Sequence, residues 1–157
     1  MQALNRYAMI SPGMNITVIA LPAALLYLAG GLSTGLRLFG SADRWRPPRS
    51  LGIGLGFAGL FLHAVMLYVE LFTSGGLNLS FFNAVSLAAW TAAGLLLLSA
   101  LSQPVDNLAI LVLPMAAITL LLDLRFPGQR LLGDDADWSL GIHVLTSMLS
   151  YSLLALA

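Results

Sequence analysis

Long apolar runs separated by short polar segments form the main pattern along this chain. Five runs are long enough to cross a bilayer as helices, because a hydrocarbon core takes about 20 apolar residues in helical conformation. Strand-like alternation is missing, and backbone groups in lipid must be bonded within their own segment. The pattern therefore predicts an all-α, polytopic membrane helix bundle with about five transmembrane helices. Their bounds are Ile16–Leu36, Leu51–Phe72, Leu79–Leu101, Leu108–Leu124 and a run from Ser139 onward.

The connecting segments are rich in residues that end helices and form turns. They read RLFGSADRWRPPRS, TSGGLN, SQPVDN and RFPGQRLLGDDADW. The fourth run is the shortest and contains Pro114, so a kink is expected there. Small residues in the second run would let neighbouring helices approach closely. These residues are Gly52, Gly54, Gly56 and Gly59.

The composition supports a membrane location. Hydrophobic residues make up 59% of the chain and charged residues 9%, whereas about 25% of residues in soluble domains are charged. The net charge is zero and cysteine is absent. Nothing therefore indicates a nucleic-acid partner, and disulfides, thiol redox chemistry and cysteine-bound metals are excluded. The lipid bilayer is the partner that the composition implies for this multi-pass protein.

The placement of arginine predicts the orientation in the membrane. The first connecting segment holds four arginines and one aspartate, and the third holds no arginine. The first connection is therefore predicted to be cytoplasmic, with the N-terminus and the loops at 73–78 and 125–138 outside. The fourth connection has two arginines, but their positive charge is balanced by the negative charges of nearby aspartates. These are Asp123, Asp134, Asp135 and Asp137.

The sequence near each end of the chain predicts how the transmembrane domain begins and whether it continues. A clean apolar run starts at Met14, so residues 1–13 are expected to be a non-native or disordered extension. Residues 14–157 then form a single transmembrane helical domain. The fifth run is followed by no polar or basic flank, and we expect the chain to be the N-terminal fragment of a longer protein.

Both histidines of the chain lie inside predicted spans, where ionisable residues are rare and often functional. His63 lies about 12 residues, or about 18 Å, past the inner end of the second span. His143 lies about four residues into the fifth span, which enters from the outside. Both histidines are therefore predicted to lie in the outer half of the membrane.

Three spans carry a polar face, because residues three, four or seven positions apart lie on one side of a helix. We expect the three faces to point into the bundle and to meet in its outer half. The faces are His63, Met66, Leu67 and Glu70; Asn83, Ser86 and Trp90; and His143, Ser147, Ser150 and Tyr151.

Two imidazoles in an apolar environment can be axial ligands of haem iron, with serine and asparagine side chains as supporting groups. Zinc sites usually need three or four protein ligands, and only Glu70 could join the histidines. A proton relay through His63 and Glu70 is another interpretation. From spacing alone, however, an intramembrane histidine is more often a packing residue. In this structural interpretation Glu70 is a charge at the membrane interface, and the remaining polar residues form hydrogen bonds between helices.

Three stretches resemble the cytochrome c assembly membrane proteins, in particular the CcsA/HemX-like, YpjD-type branch. They are LHAVMLYVELF at 62–72, GLNLSFFNAVSLAAW at 76–90 and IHVLTSMLSYSLLALA at 142–157. The last stretch has the pattern His-x-x-x-Ser-x-x-Ser-Tyr. The resemblance implies a multi-pass bacterial inner (plasma) membrane protein of about eight spans, with haem handling in cytochrome c biogenesis as its theme. It also implies His143 as a haem ligand, His63 as its partner, and other cytochrome c maturation membrane proteins as partners.

The tryptophan-rich signature of the haem-delivering members is not in this chain, so two hypotheses stay open. In the first, the protein is not an enzyme but holds haem between helices in the outer half of the membrane. His143 and His63 are then the ligands of the haem iron. The supporting residues are Ser147, Ser150, Tyr151, Asn83, Ser86 and Glu70.

In the second hypothesis the protein is a non-haem accessory or regulatory inner-membrane protein, and both histidines are structural. A proton- or ion-coupled transporter that uses Glu70 and His63 is less favoured, because the five runs show no paired halves.

Overall fold

A computed structural model gives the architecture of the chain. It describes residues 16–41, 46–73, 76–78, 80–126, 128 and 131–132, and also 142–143, 146–147, 150–151 and 153–154. In this part of the chain there are four helices, and each is long and apolar enough to cross a membrane. The chain is therefore a multi-pass membrane protein. The helices are α1 (Ile16–Phe39), α2 (Arg49–Leu71), α3 (Phe81–Ser102) and α4 (Asp106–Arg125).

Two predictions fall mainly on residues that the structure does not describe. The extension predicted over 1–13 lies outside the described residues. Of the fifth predicted span, only the eight residues between 142 and 154 are described, and all of them are in helical conformation. The fifth span and the orientation of the chain stay predictions.

The four helices pack as a ring in which α1 contacts α2 and α4, and α3 contacts the same two helices. Short connections make successive helices antiparallel. The C-terminus of α1, the N-terminus of α2, the C-terminus of α3 and the N-terminus of α4 thus share one end. We call it the arginine end, because Arg37 and Arg49 lie there. The opposite end, which contains His63, is the histidine end.

Small side chains make up much of the interior of the ring. Lipid is as apolar as leucine, so membrane helices associate through close packing, which small residues allow. Large apolar side chains such as Leu25, Phe61 and Leu111 are exposed on the outside, where lipid would contact them. The buried core consists mainly of Ala20, Ala23, Ala24, Ala93, Ala109, Ala116 and Ala117, together with Leu96, Leu97, Leu113 and Leu120.

Three of the four glycines in α2 pack against a neighbouring helix. At Gly52, Gly56 and Gly59 an added Cβ would lie within 3.1 Å of a side chain of α1 or α3. Gly54 is exposed, and an added Cβ there would meet nothing within 4 Å. The predicted role of glycine in close packing is therefore confirmed for three positions and wrong for Gly54.

Pro114 lies inside α4, which continues past it to Arg125. A Cβ added to Gly31 of α1 would come within 3.0 Å of the Pro114 ring. The proline ring therefore packs where the facing helix has no side chain.

Two connections predicted as irregular loops pair into a small sheet at the histidine end. Its strands are β1 (Phe72–Thr73), β2 (Gly76–Asn78) and β3 (Leu131–Leu132). The central strand β2 pairs antiparallel with both neighbours. The sequence pattern did not show these strands, because strands of two or three residues are too short to show alternation; the all-helical architecture of the spans is unaffected. The pairing confirms that these two connections lie at the same end of the bundle.

Charged residues link three helices at the arginine end. Arg37 Nη1 donates to Asp106 Oδ2 at 2.9 Å, and Arg49 Nε donates to Asp106 Oδ1 at 2.9 Å. Arg49 Nη2 also donates to the backbone carbonyls of Ala100 and Gln103, at 2.6 and 2.7 Å. Arg49 therefore supplies donors to backbone carbonyl groups at the C-terminal end of α3, where the helix itself has few donors left.

Replacing Arg49 with glutamine is expected to lower the free energy of unfolding by about 1–2 kcal/mol. The substitution removes charge-assisted hydrogen bonds from a side chain that is 34% exposed, so solvent screens part of the loss. Denaturant titration in detergent, followed by circular dichroism, measures the effect. Arg46→Gln is the matched control, because Arg46 is exposed and bonds a loop carbonyl. Equal effects of the two substitutions would contradict the prediction.

Candidate functional site

A buried polar cluster lies at the histidine end, with a contribution from each of the four helices. Tyr27 of α1, His63 of α2, Ser86 of α3 and Asp123 of α4 are at most 1% exposed. Glu70 of α2 is half-buried. His63 and Glu70 are seven residues apart and so share one face of α2. This cluster is the strongest candidate site, because polar residues inside membrane bundles are often functional.

His63 is held by two other helices. Its Nδ1 lies 3.3 Å from the Tyr27 hydroxyl, and its Nε2 lies 2.9 Å from the Ser86 hydroxyl. The Tyr27 and His63 rings also meet edge to face, with centroids 5.8 Å apart. With Nε2 protonated, Tyr27 donates to Nδ1 and Nε2 donates to Ser86. The Ser86 proton is then left for another acceptor.

The carboxyl groups of Asp123 and Glu70 are neighbours, and the Ser86 hydroxyl is a neighbour of Asp123. In the described part of the chain, no donor reaches either Asp123 oxygen or Glu70 Oε2 with full hydrogen-bond geometry. Buried carboxylates without donors are unfavourable in an apolar environment. If both carboxyl groups are ionised, they therefore need a positively charged partner.

The N-terminus of α3 lies at the histidine end, next to the turn that carries Ser86. Ser80 caps the helix, with its hydroxyl oxygen accepting from the backbone N–H of Asn83 at 3.4 Å. Asn83 Nδ2 donates to the backbone carbonyl of Asn78, and Asn78 Nδ2 donates to that of Gly128, both at 3.1 Å. Asn83 therefore ties the sheet region to α3 and fixes the turn that carries Ser86.

Two of the three predicted polar faces point into the bundle, as expected. On α2 the face is buried from His63 to Leu67, and on α3 Asn83 and Ser86 are buried. The Trp90 indole nitrogen donates to a backbone carbonyl of α2 at 2.9 Å. These contacts confirm that the helical spacing identifies the inner faces of α2 and α3.

The third predicted face does not join the cluster. His143, Ser150 and Tyr151 are exposed, and Ser147 is half-exposed. The Ser150 hydroxyl donates to the carbonyl of Thr146 in its own segment. The prediction that this face points into the bundle is therefore wrong for these residues. The reason is that α1–α4 already form a closed ring with a filled interior.

The two histidines differ in how well they fit haem iron, which needs a ring nitrogen free to coordinate. His63 is fully buried, and both its ring nitrogens have partners, so it could bind iron only after losing one of them. The His143 imidazole is exposed and makes no hydrogen bond with the part of the chain that the structure describes. His143 fits an axial ligand, and His63 does not fit in this arrangement. Among the described residues, no group of three or more histidines and acids could hold a metal ion.

Tyr27 and Asp123 belong to the cluster although the sequence pattern did not predict them. Tyr27 lies in the middle of the first apolar run, and no polar face was assigned to that run. Asp123 lies inside the predicted fourth span, Leu108–Leu124, but its charge was counted with those of the fourth connection. Glu70 was expected to be an interfacial charge, yet its Oε2 is buried. One signal for Asp123 exists in the sequence TLLLDLR: a carboxylate in the last turn of a helix opposes the helix dipole.

The cluster thus consists of one hydrogen-bonded histidine, the Ser86 hydroxyl bonded to it, and a pair of carboxyl groups next to Ser86. Its polar groups can hold or pass protons. His143 does not belong to the cluster, and its exposed imidazole is open to a ligand. The chain matches no protein-family profile, no curated protein and no solved structure.

Proposed function

We propose that this chain is a membrane haem-handling protein of the cytochrome c assembly type, with His143 as an axial haem ligand. The observation that supports the proposal is the exposed imidazole of His143, which has no hydrogen-bond partner among the described residues. The hydroxyls of Ser147, Ser150 and Tyr151 follow on the same segment, and hydroxyls suit haem propionates. Apolar neighbours such as Leu153 and Leu154 suit a porphyrin face.

In this proposal the chain crosses the bacterial inner membrane about five times, with its N-terminus outside and the haem in the outer half. Bound haem would supply a redox-active iron whose axial ligand is the imidazole. The protein would hold haem without catalysing a reaction and would work with other cytochrome c maturation membrane proteins. His63 is the second candidate ligand, which would first have to release Ser86 or Tyr27.

The absorption spectrum of the protein purified in detergent tests the proposal. Wild type is expected to show a Soret band and low-spin haem bands, and His143→Ala is expected to lose or shift them. Thr146→Val is the matched control, because Thr146 is exposed on the same segment and has no imidazole. His63→Gln, with circular dichroism to confirm folding, shows whether the second histidine contributes. A wild type that takes up no haem even when haem is added would refute the proposal.

A non-haem accessory or regulatory membrane protein is the second candidate function. The observation that favours it is the pair of hydrogen bonds of His63, which are typical of a structural histidine. In that case His143→Ala changes neither haem content nor spectrum. The protein would instead stabilise a partner complex in the membrane, and its removal would lower the amount of that complex.

A further inference from the structure

We propose that Asp123 and Glu70 share one bound proton at neutral pH, and that the carboxyl pair is a proton-binding site at the histidine end of the bundle. The site does not depend on haem. Its ligand is a proton held between two helices, with Asp123 on α4 and Glu70 on α2.

The environment of the carboxyl pair is buried and offers no hydrogen-bond donor among the described residues. Asp123 is 1% exposed, and neither of its oxygens receives a hydrogen bond from the described part of the chain. Glu70 Oε2 is buried in the same way. Two adjacent negative charges repel strongly where no water screens them. One proton between them removes a charge and supplies the missing donor, as in other carboxyl pairs that share a site.

The described part of the chain offers the two carboxyl groups no positively charged side chain as a partner. Among the described residues, neither carboxyl forms an ion pair, whereas Asp106 at the arginine end has two arginine partners. The nearest other titratable groups along the hydrogen bonds are His63 on α2, which Ser86 separates from Asp123, and Tyr27 on α1, which is bonded to His63. No metal-binding group of three or more side chains occurs in this part of the chain. A proton needs no third ligand.

The hydrogen bonds among Tyr27, His63 and Ser86 can all point in one direction, toward the carboxyl pair. When Nε2 of His63 carries the proton, Tyr27 donates to His63 and His63 donates to Ser86. Ser86 lies beside Asp123, and its own proton then points toward that carboxyl. The polar groups thus form one chain of donors that ends at the carboxyl pair. Release of the shared proton would leave two charges inside the bundle, so uptake and release are coupled to the distance between the Glu70 and Asp123 side chains, which reach toward each other from α2 and α4 across the ring.

Infrared spectroscopy of the protein in detergent or lipid tests this proposal at neutral pH. Wild type is expected to show the C=O stretching band of about one protonated carboxylic acid per chain, shifted in D2O. Glu70 is the one glutamate of this chain, so ¹³C-glutamate labelling should move part of the band. The double variant Glu70→Gln, Asp123→Asn should lose the band. The matched control Asp106→Asn should keep it, because Asp106 is paired with arginine.

Three results would overturn the proposal. The first is a folded wild type with no such band, a measurement that depends on no variant. The second is a band that persists at full intensity in the double variant. The third is the absence of the band together with a melting temperature that rises with Na⁺ in wild type but not in the double variant. That last result would show that the pair binds a metal cation instead of a proton.

Discussion

Replacing His63 with alanine is expected to lower the free energy of unfolding by about 3–5 kcal/mol. The imidazole is fully buried and contacts both Tyr27 and Ser86. Its removal leaves a cavity, and large-to-small substitutions in a core lower stability by about 2–5 kcal/mol. It also leaves the buried Tyr27 hydroxyl without the partner that His63 supplies, which adds about 1–3 kcal/mol, and it removes one of the two neighbours of the Ser86 hydroxyl. Partial collapse of the cavity keeps the total below the sum.

Denaturant titration in one detergent, followed by circular dichroism, measures this effect. His143→Ala is the matched control, because it removes the same side chain from an exposed position. Exposed substitutions usually change stability by about 0.5 kcal/mol or less. Wild-type stability of His63→Ala, or equal losses in both variants, would contradict the contacts assigned to His63.

The contrast between the two histidines also decides how haem binding can be tested. A variant that loses haem because it unfolds says nothing about ligation, and His63→Ala is expected to be such a variant. His143→Ala is expected to keep its fold, so a change in its haem spectrum reports on the imidazole itself. The proposed haem role is therefore tested most cleanly at His143.

Much of the helical architecture can be predicted from the lengths of the apolar runs. The run Ile16–Leu36 became α1, which ends three residues later at Phe39, and Leu79–Leu101 became α3 over Phe81–Ser102. An apolar run shows which part of the chain lies within the membrane. The residue at which the helix begins or ends depends on the local capping residue. At α3 the cap is Ser80, and so the helix begins later than its apolar run.

The inner faces of α2 and α3 were also predictable, because a helix repeats its contacts every three or four residues. The partners across the bundle were not. The contact between Tyr27 and His63 joins residues 36 positions apart, and it depends on which helices are neighbours. Asp123 lies near the end of the fourth apolar run, and the pattern did not show that its side chain is buried in the bundle. The polar spacing of the segment around His143 is real, but spacing alone does not show whether a face meets protein or lipid.

Replacing Gly30 with alanine is expected to lower the free energy of unfolding by about 2–3 kcal/mol relative to Gly35→Ala. An added Cβ at Gly30 would lie 3.1 Å from the Gly52 carbonyl oxygen and 3.2 Å from the Gly56 nitrogen. Both contacts are with the backbone of α2, which cannot turn aside as a flexible side chain can. The helices must separate, and overpacking of this kind lowers stability by about 1–3 kcal/mol.

Gly35 is the matched control because it lies in the same helix and an added Cβ there would meet nothing within 4 Å. Alanine favours a helix over glycine by about 1 kcal/mol at either position, so this contribution cancels in the comparison. Thermal unfolding of both variants in the same detergent measures the difference. Because the added Cβ would press against the backbone of α2, the variant should also loosen the α1–α2 pair that positions Tyr27 against His63. Equal melting temperatures would mean that the two helices do not pack backbone to backbone in the membrane.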